Sequence, residues 1–363
     1  MTPAAYALVD LSAVAYNLQQ VRHYAPDAKV MAVIKANAYG HGLLRIAGSL
    51  KDVDAVAVAR VDEGVRLRQS GFVHKIVVLE GFVCELELNC LVKYNLDFVV
   101  HSEGQVEVIE NYKGRQSFTV WIKIDTGMNR LGFKAKEFSS IYSRLNSCQG
   151  VGDAVYLMTH LSSADETDSQ VTLTQMAVFD EAVMDLAVEK SIANSAAIIA
   201  WPDSIRDWVR PGIMIYGVSP FVKQCGMDFG LKSVMSLHSR LIAIKLIDAG
   251  ELVGYAGSWK AKKTTRLGVV AIGYGDGYPR YAETGTPVLV NGEKVSLVGR
   301  VSMDMITVDL AEVDAKPGDP VVLWGNGLPV EEIAKYSNTI PYALLCGITQ
   351  RVKISYIESV NQE

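Results

Sequence analysis

Eight short apolar runs recur between residues 30 and 217, and each has the length of a β-strand. They are continuous rather than alternating, which is typical of strands covered on both faces. Amphipathic, charge-rich stretches of helical length separate most of them, and residues 169–189 form the clearest. The runs span residues 30–34, 55–59, 75–79, 96–100, 119–124, 155–159, 191–196 and 209–217.

Eight strand–helix units within about 200 residues predict an α/β fold, a (β/α)8 barrel of the TIM type, over residues 10–230. A doubly wound parallel sheet is the alternative that this pattern leaves open. After residue 230 the helical periodicity fades, and short strand-like runs alternate with Gly, Pro and Asp. We therefore predict a smaller β-rich C-terminal domain over residues 231–363, joined by residues 1–9. Its strand-like runs span residues 239–246, 267–272, 287–290, 294–298, 305–308 and 320–323.

Composition narrows the class of protein. Hydrophobic residues make up 49% and charged residues 21% of the 363, which is ordinary for a globular chain. The formal charge of −5 gives no field that would attract nucleic acid or an anionic membrane. No window approaches 18 uncharged apolar residues, and Asp10 interrupts the apolar N-terminus, so we expect neither a spanning helix nor a signal peptide. Five cysteines without a CxxC pair indicate free thiols in a reducing cytoplasm and no metal centre.

Polar residues follow the predicted barrel strands at their carboxyl ends, where barrel enzymes carry out their chemistry. Because these ends meet at one mouth, we expect the side chains to converge on a single cavity. They are Lys35 after the first strand, Lys123, Asp125 and Arg130 around the end of the fifth, His160 after the sixth, Asn194 and Ser195 after the seventh, and Arg210 at the eighth.

Among these residues, Lys35 gives the most specific indication of chemistry. It follows five apolar residues, so its ammonium would enter a desolvated mouth, where desolvation lowers the pKa of a lysine. A neutral amine is what Schiff-base chemistry with a carbonyl compound requires. A lysine that extends from a strand end to solvent is the structural alternative.

The segment VIKANAYGHG at 33–42 resembles the pyridoxal-phosphate signature of the alanine racemases. Eight further motifs stand in that family's order and at its spacing. They are KIDTGMNRLG (123–132), THLSSAD (159–165), NSAA (194–197), RPGIMIYG (210–217), VGYAGSW (253–259), IGYGDGYPR (272–280), VGRVSMD (298–304) and IPY (340–342).

The resemblance implies an isomerase that interconverts L- and D-alanine with pyridoxal 5'-phosphate. Lys35 would hold the cofactor and act as the base on one face of the substrate, and Tyr255 would act on the other face. In the family this tyrosine comes from the partner subunit, which implies a homodimer with shared active sites. The product would be D-alanine for peptidoglycan, or the enzyme would serve alanine catabolism.

The resemblance also assigns supporting residues. His160 and Arg210 would support the tyrosine, and Arg210 would face the pyridine nitrogen. Lys123 aligns with a lysine that is carbamylated in several members, although an unmodified lysine paired with an acid stays open. Ser302 departs from the cysteine that members commonly have. The remaining assignments are Tyr39, Ser195, Gly212, Ile213 and Tyr342 for the phosphate, Arg130 and Met303 for the substrate carboxylate, and Tyr274 and Tyr342 for the entry path.

Other functions are left open by the residues themselves. A broad-specificity racemase or a basic amino-acid decarboxylase would share the architecture, although VGYAGSW argues against a decarboxylase. A non-catalytic pyridoxal-phosphate carrier is typically a lone barrel, so the predicted C-terminal domain with Tyr255 and Met303 argues against it. A Schiff-base aldolase on a bare barrel is a more distant alternative.

Overall fold

The computed structural model of the protein describes residues 4–358. Residues 1–3 and 359–363, the two ends of the predicted C-terminal domain, lie outside the described residues. The chain forms two compact units. One comprises residues 18–38 and 42–215, and the other comprises residues 39–41, residues 216 onward and the segment that ends at Asn17.

The first unit contains a closed barrel of eight parallel strands. Each strand pairs with the next along the chain, and the eighth pairs with the first. A short ninth strand, Phe133–Lys134, pairs with the end of the fifth. The predicted barrel is confirmed. The strands are Lys29–Val33, Ala55–Val58, Lys75–Val78, Asp97–Val100, Phe118–Asp125, Val151–Met158, Lys190–Asn194 and Trp208–Arg210.

One helix precedes the first barrel strand, and the other helices occupy stretches between the barrel strands, as the amphipathic pattern predicts. The predicted helix 169–189 is shorter in the structure, where it spans Gln170–Ala182. The hydroxyl of Ser169 accepts a hydrogen bond from the N–H of Val171 and so caps its first turn. The helices are Leu11–Tyr24, Leu43–Ser49, Val61–Gln69, Glu85–Lys93, Glu103–Glu110, Ala135–Asn146, Gln170–Ala182 and Ser195–Ala200, with a 3-10 turn at Pro202–Ser204.

Two predicted strands were too long. The seventh ends at Asn194, whose side chain caps the helix that begins at Ser195 by accepting the N–H of Ala197 at 3.0 Å. The eighth ends at Arg210 rather than at residue 217, because Pro211 has no N–H to donate to a strand ladder. The apolar residues Ile213–Tyr216 form a 3-10 turn instead. Ser195 and Arg210 therefore lie where strands end.

The second unit is built on an antiparallel sheet in which six strands close on one another. Residues 6–9 lie in this sheet: Tyr6–Asp10 pairs antiparallel with Met235–Ile247 and parallel with Lys353–Ile357, a strand that the pattern did not predict. The six closing strands are Met235–Ile247, Thr265–Val270, Pro287–Val290, Glu293–Leu297, Ile306–Asp309 and Pro320–Trp324.

Smaller elements complete this unit. A two-stranded ribbon pairs Leu252–Val253 with Trp259–Lys260, and two helices, Val330–Tyr336 and Pro341–Cys346, follow the sheet. Three-residue or four-residue 3-10 turns lie at Gly226–Phe229, Tyr255–Gly257 and Tyr274–Asp276. Within residues 4–358, no helix combines the length and the apolar composition needed to cross a bilayer.

Candidate active site

A left-handed turn follows the first barrel strand. Lys35 comes directly after the fully buried Ile34, and the next four residues, 36–39, all have φ between 50° and 55°. This conformation costs an L-residue roughly 1–2 kcal/mol. Hydrogen bonds fix the turn: Asn37 accepts the N–H of Gly42 through its carbonyl and the N–H of Leu43 through Oδ1, each at 2.9 Å. Strain of this kind clusters at functional sites, so the backbone points to Lys35 independently of its side chain.

Basic side chains converge at the strand ends of the first unit. Burial lowers the pKa of Lys123 to about 8, assisted by the positive charges of Arg210, Arg130 and Lys35 and opposed by Asp125. The amine of Lys123 is therefore neutral in a substantial fraction near physiological pH. The structure brings together the predicted residues that come from the first, fifth and eighth strands.

His160 belongs to the same cluster. Burial lowers its pKa well below the ordinary value, and the charges of Arg210 and Lys123 act in the same direction, followed by those of Arg130 and Lys35. Its imidazole is consequently uncharged at neutral pH, so it can donate one hydrogen bond and accept another.

Arg210 is buried and anchored. Its Nη1 donates to Ser191 Oγ at 2.6 Å, and its Nη2 donates to the carbonyls of Thr159 at 2.6 Å and Ile192 at 3.1 Å. Burial lowers the pKa of Arg210 to about 10, which still leaves it protonated at neutral pH. Its Nε–H has no acceptor within residues 4–358 and is available to a ligand.

A small set of donors lies beside Arg210. The buried Ser195 Oγ accepts the N–H of Gly212 at 2.8 Å and that of Met214 at 3.5 Å, so its own hydrogen is left to donate. The N–H of Ile213, a fully buried residue, finds no acceptor in the described part of the chain. A hydroxyl and a backbone N–H in this arrangement suit an anion such as a phosphate.

Tyr39 and Tyr342 come together in the second unit. Their ring centroids lie 5.8 Å apart, and the ring of Tyr216 lies 4.9 Å from that of Tyr39. Burial raises the pKa of Tyr39, so its hydroxyl keeps its proton and can donate. Gly40 has φ +83°, and a Cβ there would overlap the carbonyl oxygen of Leu345, which explains why glycine follows Tyr39.

Tyr255 stands on a tight turn of the second unit and is 64% exposed. Gly254, Ala256 and Gly257 beside it all have positive φ, at 74°, 59° and 54°. A Cβ on Gly254 would lie 3.2 Å from the backbone nitrogen of Arg300, so this turn packs beside the segment that leads to Met303.

Tyr274 and Met303 lie on adjacent segments. The N–H of Tyr274 donates to the carbonyl of Ser302 at 3.0 Å, and the N–H of Gly275 donates to that of Met303 at 2.9 Å. The N–H of Met303 itself makes no hydrogen bond with any described residue. Arg351 holds both segments, with ion pairs of 3.2 Å to Asp276 and 2.8 Å to Asp304. Sequence reasoning missed Arg351, although each of the two motifs carries an acidic residue that needs a partner.

Asp125 shapes the loop that carries Arg130. One carboxylate oxygen accepts the N–H groups of Gly127 at 3.1 Å and Asn129 at 2.9 Å, and the other pairs with Lys134 at 2.6 Å. These contacts, led by the hydrogen bond from Lys134, lower the pKa of Asp125 against the effect of burial. The predicted residue Asp125 therefore organises the loop.

The fold and this arrangement define the class: a barrel enzyme whose strand ends gather cations and phosphate-type donors. A family model described as "Alanine racemase, N-terminal domain" matches residues 9–220, and "Alanine racemase, C-terminal domain" matches residues 234–356. The chain belongs to the alanine racemase family, and the predicted family and class of enzyme, an isomerase, are confirmed.

Curated relatives agree over the whole chain. The alanine racemase of Aeromonas hydrophila is 49% identical over 355 residues, which cover 98% of this chain and 99% of that protein. The alanine racemase of Shewanella sediminis is 48% identical over 356 residues, with coverage of 98% and 99%. That of Vibrio cholerae is 47% identical over 354 residues, with coverage of 97% and 98%.

Solved structures give the same result. The biosynthetic alanine racemase of Pseudomonas aeruginosa matches with a TM-score of 0.95 and 40% identity, covering 98% of this chain and all of that one. The alanine racemase of Bartonella henselae, which carries covalently bound pyridoxal phosphate, matches with a TM-score of 0.89 and 31% identity, covering 98% and 100%.

Proposed function

We propose that this chain interconverts L- and D-alanine with pyridoxal 5'-phosphate, through two bases on opposite faces of the substrate. The observation that carries the proposal is the convergence of four basic side chains at the barrel strand ends, those of Lys35, Lys123, Arg130 and Arg210. The N–H of Ile213, which has no acceptor among the described residues, lies beside them. Pyridoxal phosphate, when bound, withdraws electrons from the α-carbon and so acidifies the α-proton of the amino acid.

The residues of the first unit fit this cofactor. The Ser195 hydroxyl and the N–H of Ile213, which lack an acceptor within residues 4–358, would donate to its phosphate, and the N–H of Gly212, which donates to Ser195 Oγ in this structure, would lie beside the same anion. Arg210, which stays protonated, would donate Nε–H to the pyridine nitrogen. A nitrogen that faces an arginine stays unprotonated, which limits electron withdrawal and disfavours transamination. Tyr39 and Tyr342 would complete the phosphate site with their hydroxyls.

Lys35 and Tyr255 are the proposed bases. Lys35 Nζ would take or return the α-proton on one face, and Tyr255 Oη would do so on the other. His160, being uncharged, would accept a hydrogen bond and donate one, and so could orient that phenol while Arg210 supplies positive charge. A tyrosine is a weak base at neutral pH unless positive groups stabilise its phenolate.

We propose that the functional form is a homodimer in which Tyr255 of the partner subunit completes each site. The second unit leaves several large apolar side chains exposed near this tyrosine's turn, including Met303, which is 52% exposed. A second copy of the chain would cover them. Met303 would contribute its unpaired N–H to the substrate carboxylate across the interface, and Tyr274 with Tyr342 would narrow the entry path to favour a methyl side chain.

Arg130 would bind the substrate carboxylate, and Lys123 would hold Arg130 in place. We propose that Lys123 is carbamylated. Its neutral amine would add to carbon dioxide, forming the N–C bond of a carbamate and releasing one proton. The negative charge that results would sit among the three cations that now surround the amine, which is the reason to expect the modification.

Further assignments follow from the same proposal. Residues 10–230 would form the cofactor-binding domain, and residues 231–363 with 1–9 the domain that contributes to the partner's site. All five cysteines lie in the described part of the chain and are free thiols, as a cytoplasmic location would keep them. The neighbour from P. aeruginosa is described as biosynthetic, which favours D-alanine supply for peptidoglycan over catabolism.

The direct test incubates the purified protein with L-alanine, with and without added pyridoxal phosphate, and measures D-alanine. Cofactor-dependent D-alanine is the expected result. Comparable turnover of lysine or serine would indicate a broad-specificity racemase, and cofactor binding without turnover of any amino acid would indicate a carrier.

A further inference from the structure

Gln175 is a buried amide that no motif singled out. It lies on the helix Gln170–Ala182, with 1% of its surface exposed. Its Nε2 donates to Thr126 Oγ1 and to the carbonyl of His160, each at 3.3 Å. Its Oε1 accepts the N–H of Ser162 at 2.9 Å and the hydroxyl of Ser162 at 3.0 Å. All four hydrogen-bonding positions of the amide are therefore used.

These partners belong to two different strand ends. Thr126 begins the loop that carries Arg130, and His160 and Ser162 follow the sixth strand. The hydroxyls of Thr126 and Thr159 also lie 2.8 Å apart. The network therefore reaches Arg210, whose Nη2 donates to the Thr159 carbonyl.

Among residues 4–358, no backbone-to-backbone hydrogen bond connects these two segments. The parallel pairing between the fifth and sixth strands reaches Lys123 opposite Met158 and stops there. Beyond that point, the hydrogen bonds that bridge the two segments in the described part of the chain are made through the side chains of Gln175, Thr126 and Thr159. Buried, fully satisfied polar networks are rigid, and removing one member leaves the others unpaired.

We propose that Gln175 is a positioning residue for racemisation, which fixes the spacing between the Arg130 loop and the His160 segment. This inference rests on the proposed function, because Arg130 and His160 matter to the reaction only if they serve as assigned above. Gln175 acts through these neighbours and touches no substrate.

The test compares Gln175→Met with Gln170→Met in the holoenzyme. Both substitutions replace an amide with a thioether of similar length on the same helix, but Gln170 is exposed. We expect Gln175→Met to lower kcat/KM about tenfold, chiefly through a higher KM for alanine, because a displaced Arg130 would bind the substrate carboxylate less tightly. Gln170→Met is expected to match the unmodified enzyme.

A stability control separates positioning from general damage. Phe179→Leu weakens the packing of the same helix at a fully buried position that makes none of these hydrogen bonds. It should lower the Tm and leave KM unchanged in assays well below the Tm. If Phe179→Leu raises KM as much as Gln175→Met does at a similar loss of Tm, the role of Gln175 is structural only and the inference is wrong.

A second pair of variants keeps the inference testable if Gln175→Met does not fold. Thr126→Val removes the hydroxyl that links Gln175 to Thr159, and Thr172→Val removes a buried hydroxyl that has no partner among the described residues. Thr126→Val should raise KM, and Thr172→Val should not. Equal effects of the two substitutions would overturn the inference.

Failure of the inference can be told apart from failure of the proposed function. If the unmodified enzyme makes no D-alanine, the proposed function is wrong and the inference falls with it. If the unmodified enzyme racemises alanine and Gln175→Met has the same KM and kcat as Gln170→Met, the inference alone is wrong.

Discussion

Arg210 donates a 2.6 Å hydrogen bond to the carbonyl of Thr159, the residue immediately before His160. This contact joins the eighth barrel strand to the end of the sixth through the backbone rather than through the imidazole. The position of His160 therefore depends on a guanidinium that is itself anchored to Ser191 and Ile192. If Tyr255 acts as proposed, its electrostatic support and the anchoring of His160 would both depend on Arg210.

Replacing Arg210 with lysine should therefore damage both stability and activity. An ammonium keeps the charge but cannot reach Ser191, Thr159 and Ile192 in the guanidinium's geometry, and each buried partner left unpaired costs roughly 1–3 kcal/mol. Urea titrations should show that the free energy of unfolding decreases by at least the cost of one unpaired partner, and the rate of racemisation should fall steeply. The control is Arg206→Lys, which alters an ion pair with Asp180 at the surface and should change little. Equal effects of the two would contradict the anchoring role.

Lys123 should take up carbon dioxide more readily as the pH rises through about 8. Only the neutral amine reacts, and the neutral fraction of a group with this pKa grows over that range, whereas an ordinary lysine stays protonated until about pH 10. Carbon-13 NMR of protein in labelled bicarbonate should show a carbamate signal that Lys123→Met lacks. Lys134→Met, which alters an exposed lysine, should retain it. A signal that persists in Lys123→Met would refute the assignment.

His160 should make the protein sensitive to mild acid. Because its pKa is lowered in the folded state, the unfolded chain binds more protons below about pH 6.5. The free energy of unfolding should therefore decrease as the pH falls from about 6.5. In urea titrations at pH 7.5 and pH 5.5, His160→Asn should lose less stability between the two conditions than the unmodified protein does. An identical loss in both proteins would show that His160 does not contribute.

Gly40 should tolerate no side chain. Its positive φ strains any substitution, and a Cβ would also overlap the Leu345 carbonyl. Gly71 has a similar φ of +89° but nothing within 4 Å of the added atom, so Gly71→Ala isolates the strain at about 1 kcal/mol. Thermal unfolding should show Gly40→Ala to be several-fold more destabilising than Gly71→Ala. Similar Tm shifts would mean that the close approach is relieved easily.

Continuous apolar runs predict the barrel well because parallel strands are buried on both faces, and each of the eight runs overlaps one barrel strand. The eighth was overestimated because Ile213–Tyr216 is as apolar as a strand, and the pattern does not weigh the N–H that Pro211 lacks. The left-handed turn at residues 36–39 could not be predicted, since alanine disfavours that conformation and only the surrounding contacts impose it.

The candidate site likewise contains residues that the sequence predicts and residues that only the structure reveals. Residues at strand ends were predictable because barrel topology gathers them, and their proposed roles rest on the family resemblance. Gln175 and Arg351 were missed because a glutamine in an amphipathic helix and an arginine near the C-terminus are indistinguishable from surface residues in a sequence. Their roles become visible only from their contacts in the structure, where Gln175 donates to Thr126 and Arg351 pairs with Asp276.

The central claim is that Lys35 of one chain and Tyr255 of the partner subunit form one site. Lys35→Ala and Tyr255→Phe should each abolish most activity as separate homodimers, and Lys35→Ala should also lose the visible absorption of bound cofactor. Tyr281→Phe, which alters another exposed tyrosine, should stay active.

The most direct measurement mixes Lys35→Ala chains with Tyr255→Phe chains and assays the purified heterodimer. If the sites are shared, each heterodimer contains one site with both native residues, so racemisation should reappear at about half the activity of the unmodified dimer. A purified heterodimer that remains inactive would contradict the account.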